Sequence, residues 1–443
     1  MVELENQFTN RGTNMNFKNI FIVVSIVVAI GMTGCGPVNN DTNSSIKNNT
    51  NNNTNNNTKN NTNNKPAITP LPAGVTITAP TLTATLVSTK NTTYGVDVDG
   101  NIPLSGLLVK VPYHSDRDVA LVNFRSPAFT IDASNTKSGT AIDVRFEWSD
   151  TVLTQGDGYF DAKIVPVGGT YHTKQLALNA NGYTAATLSY PADEYSSMGQ
   201  LELKVIAGIP DRNFNVLTNG KYEHQFVYMP VKSATGRVWL NNNLGAAYAD
   251  LNSPDFNSTQ QATAADDYKA YGSFFQWGRK ADGHELIDWT SRTNKTKKYG
   301  DTNIASDDPA DPLFIKSANW RVNADDTLWA SESSTNNVCP AGYRVPLNPG
   351  TTNDLSNEFN AEVSTWSSQD SAGSLSSNLK LTMPGYLYKN GVFDFATTYG
   401  LYWSGTASSN SHAHDMRLGN NGGMLLSDTT YQGAALSVRC IKK

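Results

Sequence analysis

Cysteine is nearly missing from this 443-residue chain: Cys35, Cys339 and Cys440 are all it has. There is no CxxC pair and no HxxxH pair, so the usual four-ligand set of a structural zinc is not present. Charge is also sparse, at 16% of residues with a net charge of −5. Without a basic excess there is no electrostatic footprint for nucleic acid, and no such partner is expected. The uncharged apolar run IFIVVSIVVAIGM, 20–32, holds thirteen residues, against about 20 for a membrane-spanning helix. Signatures of catalysis are absent too: no GxSxG, no HExxH and no phosphate loop. No catalytic residue, cofactor or metal is assigned on this reading, and an enzyme is not expected.

What is present begins at the N-terminus. Lys18 precedes the apolar run and Thr33 and Gly34 follow it, the layout of a secretory signal. Met15 begins a more conventional signal than Met1 does. The stretch Met32-Thr33-Gly34-Cys35 resembles a bacterial lipobox, with Met where Leu is commoner. The resemblance implies that residues 1–34 are removed and that Cys35 carries a diacylglycerol. The protein would then be membrane-anchored through lipid at the outer membrane or cell surface. Cutting before Cys35 removes Glu3, Glu5, Arg11 and Lys18, so the net charge stays at −5. Cys339 and Cys440 remain, in a compartment where disulfides persist. A pair with no leftover thiol is the disulfide pattern. Such a bond closes a loop of about 100 residues, nominally ~4.7 kcal/mol on the chain-entropy account.

Residues 35–74 read as a tether. Fifteen of the twenty-six residues from 39 to 64 are Asn, and Ile46 is the one aliphatic among them. Such a tract cannot bury enough apolar surface to offset the entropy of ordering. From 36 to 74 it spans about 35 Å on average, enough to lift a folded part clear of lipid head groups. Its Asn-x-Thr triplets match glycosylation acceptors, but simple low complexity accounts for them.

The texture changes at Val75. VTITAPTLTATLV (75–87), GLLVKVPY (106–113), AIDVRFEW (141–148), YFDAKIVPV (159–167), QLELKVIAG (200–208) and YEHQFVYMPV (222–231) alternate polar and apolar residues. They are strand-length and separated by Gly, Pro, Asn and Asp. An antiparallel β-sandwich over 75–232 is expected, acting as a spacer. A second unit over 236–443 is loop-rich and holds seven of the eight Trp. DDYKAYGSFFQW (266–277) and NDLSNEFNAEVSTW (353–366) are its helix candidates, the latter with Leu355, Phe359 and Val363 four apart. The closing strands are read in LYWSGT, HDMRLGN, GGMLLSD and ALSVRCIKK.

Seven ordered blocks of this second unit carry a resemblance. They are VWLNNNLG (238–245), YGSFFQWGRKADGHE (271–285), DDTLW (325–329), NNVCPAGYRVP (336–346), LKLTMPGYLYKNG (379–391), YGLYWSGT (399–406) and ALSVRCIKK (435–443). Together they resemble the Fibrobacter succinogenes major paralogous (FISUMP) domain. That family is similar to the C-type lectin-like and formylglycine-generating-enzyme fold, which also includes the retroelement-diversified variable proteins. The resemblance implies an α+β C-type lectin-like domain after the sandwich. It implies a structural cystine joining Cys440, near the last strand, to Cys339 in the body. The formylglycine-generating relatives need an active cysteine pair, and this pair has the other role.

In the resembling variable proteins, the stretch between the YWSS-like and SVRC-like blocks faces ligand. Here that stretch is 403–433, and it offers His412, His414, Asp415, Arg417, Asn420, Asn421, Ser427, Asp428, Thr429, Tyr431 and Gln432. These are adaptable hydrogen-bonding types with one aromatic, suited to a binding face. The same residues also suit ordinary turns and solvent-facing strand positions. His412 and His414 share a face if they lie on a strand, but a third metal ligand is not evident. The Asp-rich pieces 301–312 and 323–326 lack EF-hand spacing. No EPN, QPD or WND triplet is present to support calcium-dependent sugar binding. Asp282-Gly283-His284-Glu285 reads first as a structural turn. Trp239, Trp277, Trp320, Trp329, Trp366 and Trp403 read as core, with one or two available to stack on sugar. The expectation is therefore a lipid-anchored surface protein that recognises a protein or glycan. A structural envelope or adhesion component is the alternative, and a carbohydrate-active enzyme a remote third.

Overall fold

The computed structural model describes residues 69–348, 357–409, 411–420 and 425–443, with backbone alone for 425–428. The signal segment, Cys35, the Asn-rich tract and Asn421 lie outside the described residues. The described chain is mostly β.

Alternation builds its first part. Leu107–Ser115 buries Val109, Val111 and Tyr113; Ile142–Trp148 buries Val144, Phe146 and Trp148; Gly156–Val167 buries Phe160, Ala162 and Ile164. A period of two sends each set to one face. These strands form one antiparallel sheet in the order Val75–Ile77, Leu107–Ser115, Gly156–Val167, Ile142–Trp148, with Phe124–Arg125 and Phe129–Ile131 both paired to the last. A second sheet holds Tyr183–Pro191, Met198–Ile206 and Thr81–Val87. Leu188, Leu201, Leu203 and Val205 join the inward residues of the first sheet in one buried cluster. Each such side chain contributes roughly 1.5–3 kcal/mol when fully buried.

Two sequence expectations change here. Pairing is not antiparallel throughout, because Thr81–Val87 runs parallel to Met198–Ile206. A parallel neighbour needs a crossover of a dozen or more residues, and the long segment between these strands supplies it. The run 222–231, read as one more strand of the first unit, is divided. Val227–Tyr228 pairs with Ile209–Pro210, and Pro230–Lys232 pairs with Val238–Leu240. Phe226, Tyr228, Ile209 and also Val96 are buried in the cluster that holds Trp277, Trp329, Cys339 and Cys440. The core of the C-terminal part thus reaches back across 232–236, and the described residues fall in one compact unit.

The C-terminal part is built from short strands on a dense set of aromatic side chains. Val238–Leu240 lies between Pro230–Lys232 and Ile441–Lys442, which in turn pairs with Tyr343–Arg344. Cys339 and Cys440 are bonded, with Cα atoms 5.8 Å apart. Trp239, Trp277, Trp320, Trp329 and Trp403 are fully buried. Every indole N–H among them donates, to Glu362 Oε1, Ser404 O, Trp277 O, Asn336 O and Phe275 O respectively. They are core, and none of the five is available as a stacking platform.

Helix is scarce. Glu358–Val363 is a helix capped by Asn357, whose side chain accepts from Asn360 N, and it buries Phe359 and Val363 as their spacing predicts. Leu355 lies outside the described residues. The other candidate, 266–277, holds only a 3-10 turn at Tyr268–Ala270, capped by Asp267. Gly272 stops it: its φ is +76°, and a Cβ there would lie 2.3 Å from Leu244 O. Ser371–Ser376 is a second short helix, capped by Asp370.

Candidate functional site

The closing sheet positions the predicted face. Tyr399–Ser409, His412–Gly419 and Leu425–Tyr431 pair antiparallel, with His412 opposite Tyr431 and His414 opposite Thr429. A bulge between Asp415 and Arg417 breaks the alternation. Below it the sheet is covered on both sides. Leu401 and Trp403 enter the cluster around Cys339, while Tyr402, Met416 and Leu418 enter the one around Trp239 and Phe359.

The predicted residues therefore divide. His412, His414, Arg417, Thr429 and Tyr431 are half-buried, and Asn420 is exposed. Asp415 and Gln432 are only 1% exposed and do not face solvent. Asp415 Oδ1 lies 3.4 Å from Arg417 Nε. Gln432 Oε1 accepts from Asn319 Nδ2 at 2.9 Å, and its backbone carbonyl accepts from Trp277 N. It is a strut of the turn after the last long strand. Asn420 accepts from Ser371 Oγ at 2.6 Å, which ties it to a helix start. Asn421 and the side chains of Ser427 and Asp428 lie outside the described residues.

The residues that do converge include several that the sequence reading passed over. The His412 ring packs on Tyr431 with centroids 4.2 Å apart. Lys389 Nζ sits 3.4 Å from the Tyr431 ring centroid. Tyr388 meets Tyr431 at 6.4 Å and Tyr386 at 6.0 Å, and Tyr386 stacks parallel to Phe395 at 6.0 Å. Phe395 meets Tyr399 at 5.4 Å. The result is a continuous aromatic seam from His412 to Tyr399 along the edge of the domain. Its signal was present in YLYKNG (386–391). Residues two apart on a strand share a face, and Lys-Asn-Gly closes the hairpin. Tyr386–Leu387 and Phe393–Asp394 are that hairpin's strands, and Leu387 points into the core.

Phe395 is 45% exposed and has φ +57°. Thr397, two residues on, has φ +68°. A bulky and a β-branched residue in this region are both outliers, costing of order 1–3 kcal/mol each. Backbone bonds hold the turn: Thr397 N to Met383 O at 2.9 Å and Tyr399 N to Phe395 O at 3.0 Å. Phe395 N also donates to Asp394 Oδ1 at 2.8 Å. The strained turn points an aromatic ring at water.

The Asp282-Gly283-His284-Glu285 block is a sealed polar knot. Gln276 N donates to His284 Nε2, which leaves Nδ1–H to donate to Asp282 Oδ1 at 2.7 Å. Glu285 accepts from His224 Nε2 at 2.7 Å and from Gly283 N at 3.0 Å. Arg279, fully buried, donates to Asp282, Gln276 Oε1, Leu313 O and Asp311 O. Asp282, His284 and Glu285 bring ligand atoms within 4.8 Å of one another. The His284 lone pair is committed to Gln276, however, so this arrangement offers a cation no imidazole nitrogen. The structural reading of the block accounts for each of these bonds.

No family model, curated protein or solved structure matches the chain.

Proposed function

We propose that this chain is a lipid-anchored bacterial surface protein that recognises a protein or glycan ligand, with Cys35 as the lipid site and a C-type lectin-like domain as the recognition unit. The observation that carries the reading is the seam of Phe395, Tyr386, Tyr388, Tyr431 and His412 on one edge, beside His414, Arg417 and Thr429. Half-buried aromatic rings held by their neighbours lose little entropy on binding, and the polar groups beside them set orientation. The cystine that pins the last strand and the buried tryptophans supply a rigid support for such a face. On the sequence reading, the Asn-rich tract would serve as the tether of such a receptor.

The test has two arms. A glycan array and a pull-down from whole cells, run with wild type and with Phe395→Ala, should return a ligand that the variant loses. Mass spectrometry of the exported protein should find an acylated N-terminal Cys35. Unmodified Cys35 behind an intact N-terminus sinks the anchor. No ligand in either binding assay leaves the structural envelope component as the better reading.

A further inference from the structure

Glu362 is a buried carboxylate that faces no cation. It is 1% exposed. Ser233 Oγ donates to its Oε1 at 2.8 Å and Trp239 Nε1 at 3.2 Å, and Thr235 Oγ1 donates to the same oxygen. Among the described residues Oε2 receives no hydrogen bond, and no Lys, Arg or His pairs with the carboxylate. The other three buried glutamates among the described residues each face a basic side chain: Glu285 faces His224, Glu358 faces Arg344 and Glu223 faces Lys298. A buried charge is expensive unless it is paired.

Glu362 lines a cleft of about 430 Å³ between the end of the Glu358–Val363 helix, the Ser371–Ser376 helix and the Ser233 turn. The size is that of a small-molecule pocket. Trp366 forms one wall and, unlike the five buried tryptophans, is only partly covered. The other walls carry hydroxyls whose hydrogens are already committed. Thr365 Oγ1 donates to Glu362 O at 2.7 Å, Ser377 Oγ to Ser374 O at 2.7 Å, and Ser376 Oγ to Gly373 O at 2.9 Å. Ser376 therefore accepts from Ser367, 3.1 Å away. A hydroxyl has one hydrogen and two lone pairs. These hydroxyls can accept hydrogen bonds but have none left to donate, and the one amide in the lining, Asn378, gives one of its two N–H groups to Lys232 O. A neutral sugar needs both donors and acceptors. A carboxylate, an indole face and acceptor-only hydroxyls suit a cation that brings its own N–H groups.

We propose that this cleft binds a primary ammonium group, with Glu362 Oε2 accepting from it and Trp366 packing over it or its adjoining carbons. The site is separate from the aromatic seam and does not rest on that reading. An amino sugar, a polyamine or a lysyl side chain could each present this group.

The test uses the full chain labelled with 5-fluorotryptophan, with the Trp366 resonance assigned by Trp366→Phe. Butylammonium, glucosamine, spermidine and Nα-acetyl-lysine amide are titrated in turn, with glucose and tetramethylammonium as controls. Butylammonium should shift the Trp366 signal saturably, and the strongest of the other three names the source. Glucose should not shift it, and tetramethylammonium, which has no N–H, should bind more weakly. Glu362→Gln should weaken butylammonium at least about tenfold, since it replaces the charge and offers an N–H where an acceptor was. The proposal is overturned if glucose matches glucosamine, if tetramethylammonium matches butylammonium, or if butylammonium leaves the signal unmoved. The control comparisons need only wild-type protein, so they decide the matter even if Glu362→Gln does not fold.

Discussion

His224 Nε2 lies 2.7 Å from Glu285 Oε1, and both side chains are buried. Burial alone drives an imidazole toward its neutral form, but the hydrogen bond and charge of Glu285 carry His224 up to about 9. Burial opposes Glu285 likewise, yet the hydrogen bond and charge of His224 hold its carboxyl well below the usual range. The pair links the segment that follows the first core to the DGHE turn of the second. It is a buried ion pair whose partners satisfy each other.

That linkage predicts how stability changes with pH. The His224 contribution is fully present below 6.5 and is lost as pH rises through about 9. Its size is on the order of 3 kcal/mol. Asp211 is lifted to about 6 by burial. A raised carboxyl works in the same direction, lowering stability as pH climbs from 3.8 to about 6. Urea midpoints of the protein should therefore fall across both windows. His224→Gln should remove the upper slope and Asp211→Asn the lower. A midpoint that stays level from 6.5 to 9 in wild type would contradict the charged assignment of His224.

The Cys339–Cys440 bond predicts a local cost. Replacing both residues with Ala should destabilise the C-terminal core by roughly 2–5 kcal/mol. The cluster around Phe146 and Leu203 shares no residue with the cystine, so in that variant near-ultraviolet signals from Trp148 should persist to higher denaturant than those from Trp277. Non-reducing peptide mapping of exported protein should recover the linked peptide. Two free thiols there would remove the basis for the prediction.

Arg439, next to Cys440, is 1% exposed and ties its own segment to two others, 240–243 and the one at Leu379. Its Nε and Nη2 donate to Asn243 Oδ1 at 3.0 and 2.8 Å, and Nη1 donates to Leu379 O at 2.8 Å and Leu240 O at 3.3 Å. A lysine cannot reproduce that fork. Arg439→Lys should cost about 2–4 kcal/mol by leaving buried acceptors unmet, read as a drop in urea midpoint at constant slope. A loss under about 0.5 kcal/mol, the range of ordinary surface changes, would mean that water replaces the guanidinium.

Much of this was legible in the sequence because it depends on period and composition. The alternation at 106–113, 141–148 and 159–167 places Val111, Phe146 and Ile164 inward, as observed. The pairing of Cys339 with Cys440 followed from counting thiols. The helix near Phe359 followed from four-residue spacing. What stayed hidden depends on partners distant in sequence. Gln432 is a polar residue in a polar stretch, and nothing local says that Asn319, 113 residues earlier, draws it inward. Tyr388 carries no local sign of the seam, because its neighbour Tyr431 lies on another hairpin. Thr81–Val87 runs parallel to its neighbour for the same reason: strand direction is set by which strand it meets, and alternation does not carry that.

Phe395 allows strain and recognition to be separated at one position. Its φ of +57° is one that glycine adopts freely. Phe395→Gly and Phe395→Ala both delete the ring and its contacts with Tyr386 and Tyr399. Only Gly relieves the backbone, so the Gly variant should be more stable than the Ala variant by about 1 kcal/mol. Both should lose any ligand that the seam binds, with dissociation rates raised more than association rates slowed. Wild type would then be keeping a strained conformation in order to present an aromatic ring, as expected of a functional surface. If both variants retain the ligand at wild-type affinity while differing in stability, the ring serves only to pack the turn. Recognition would then have to move toward His412 and Tyr431, where His412→Ala and Tyr431→Ala are the next variants to measure.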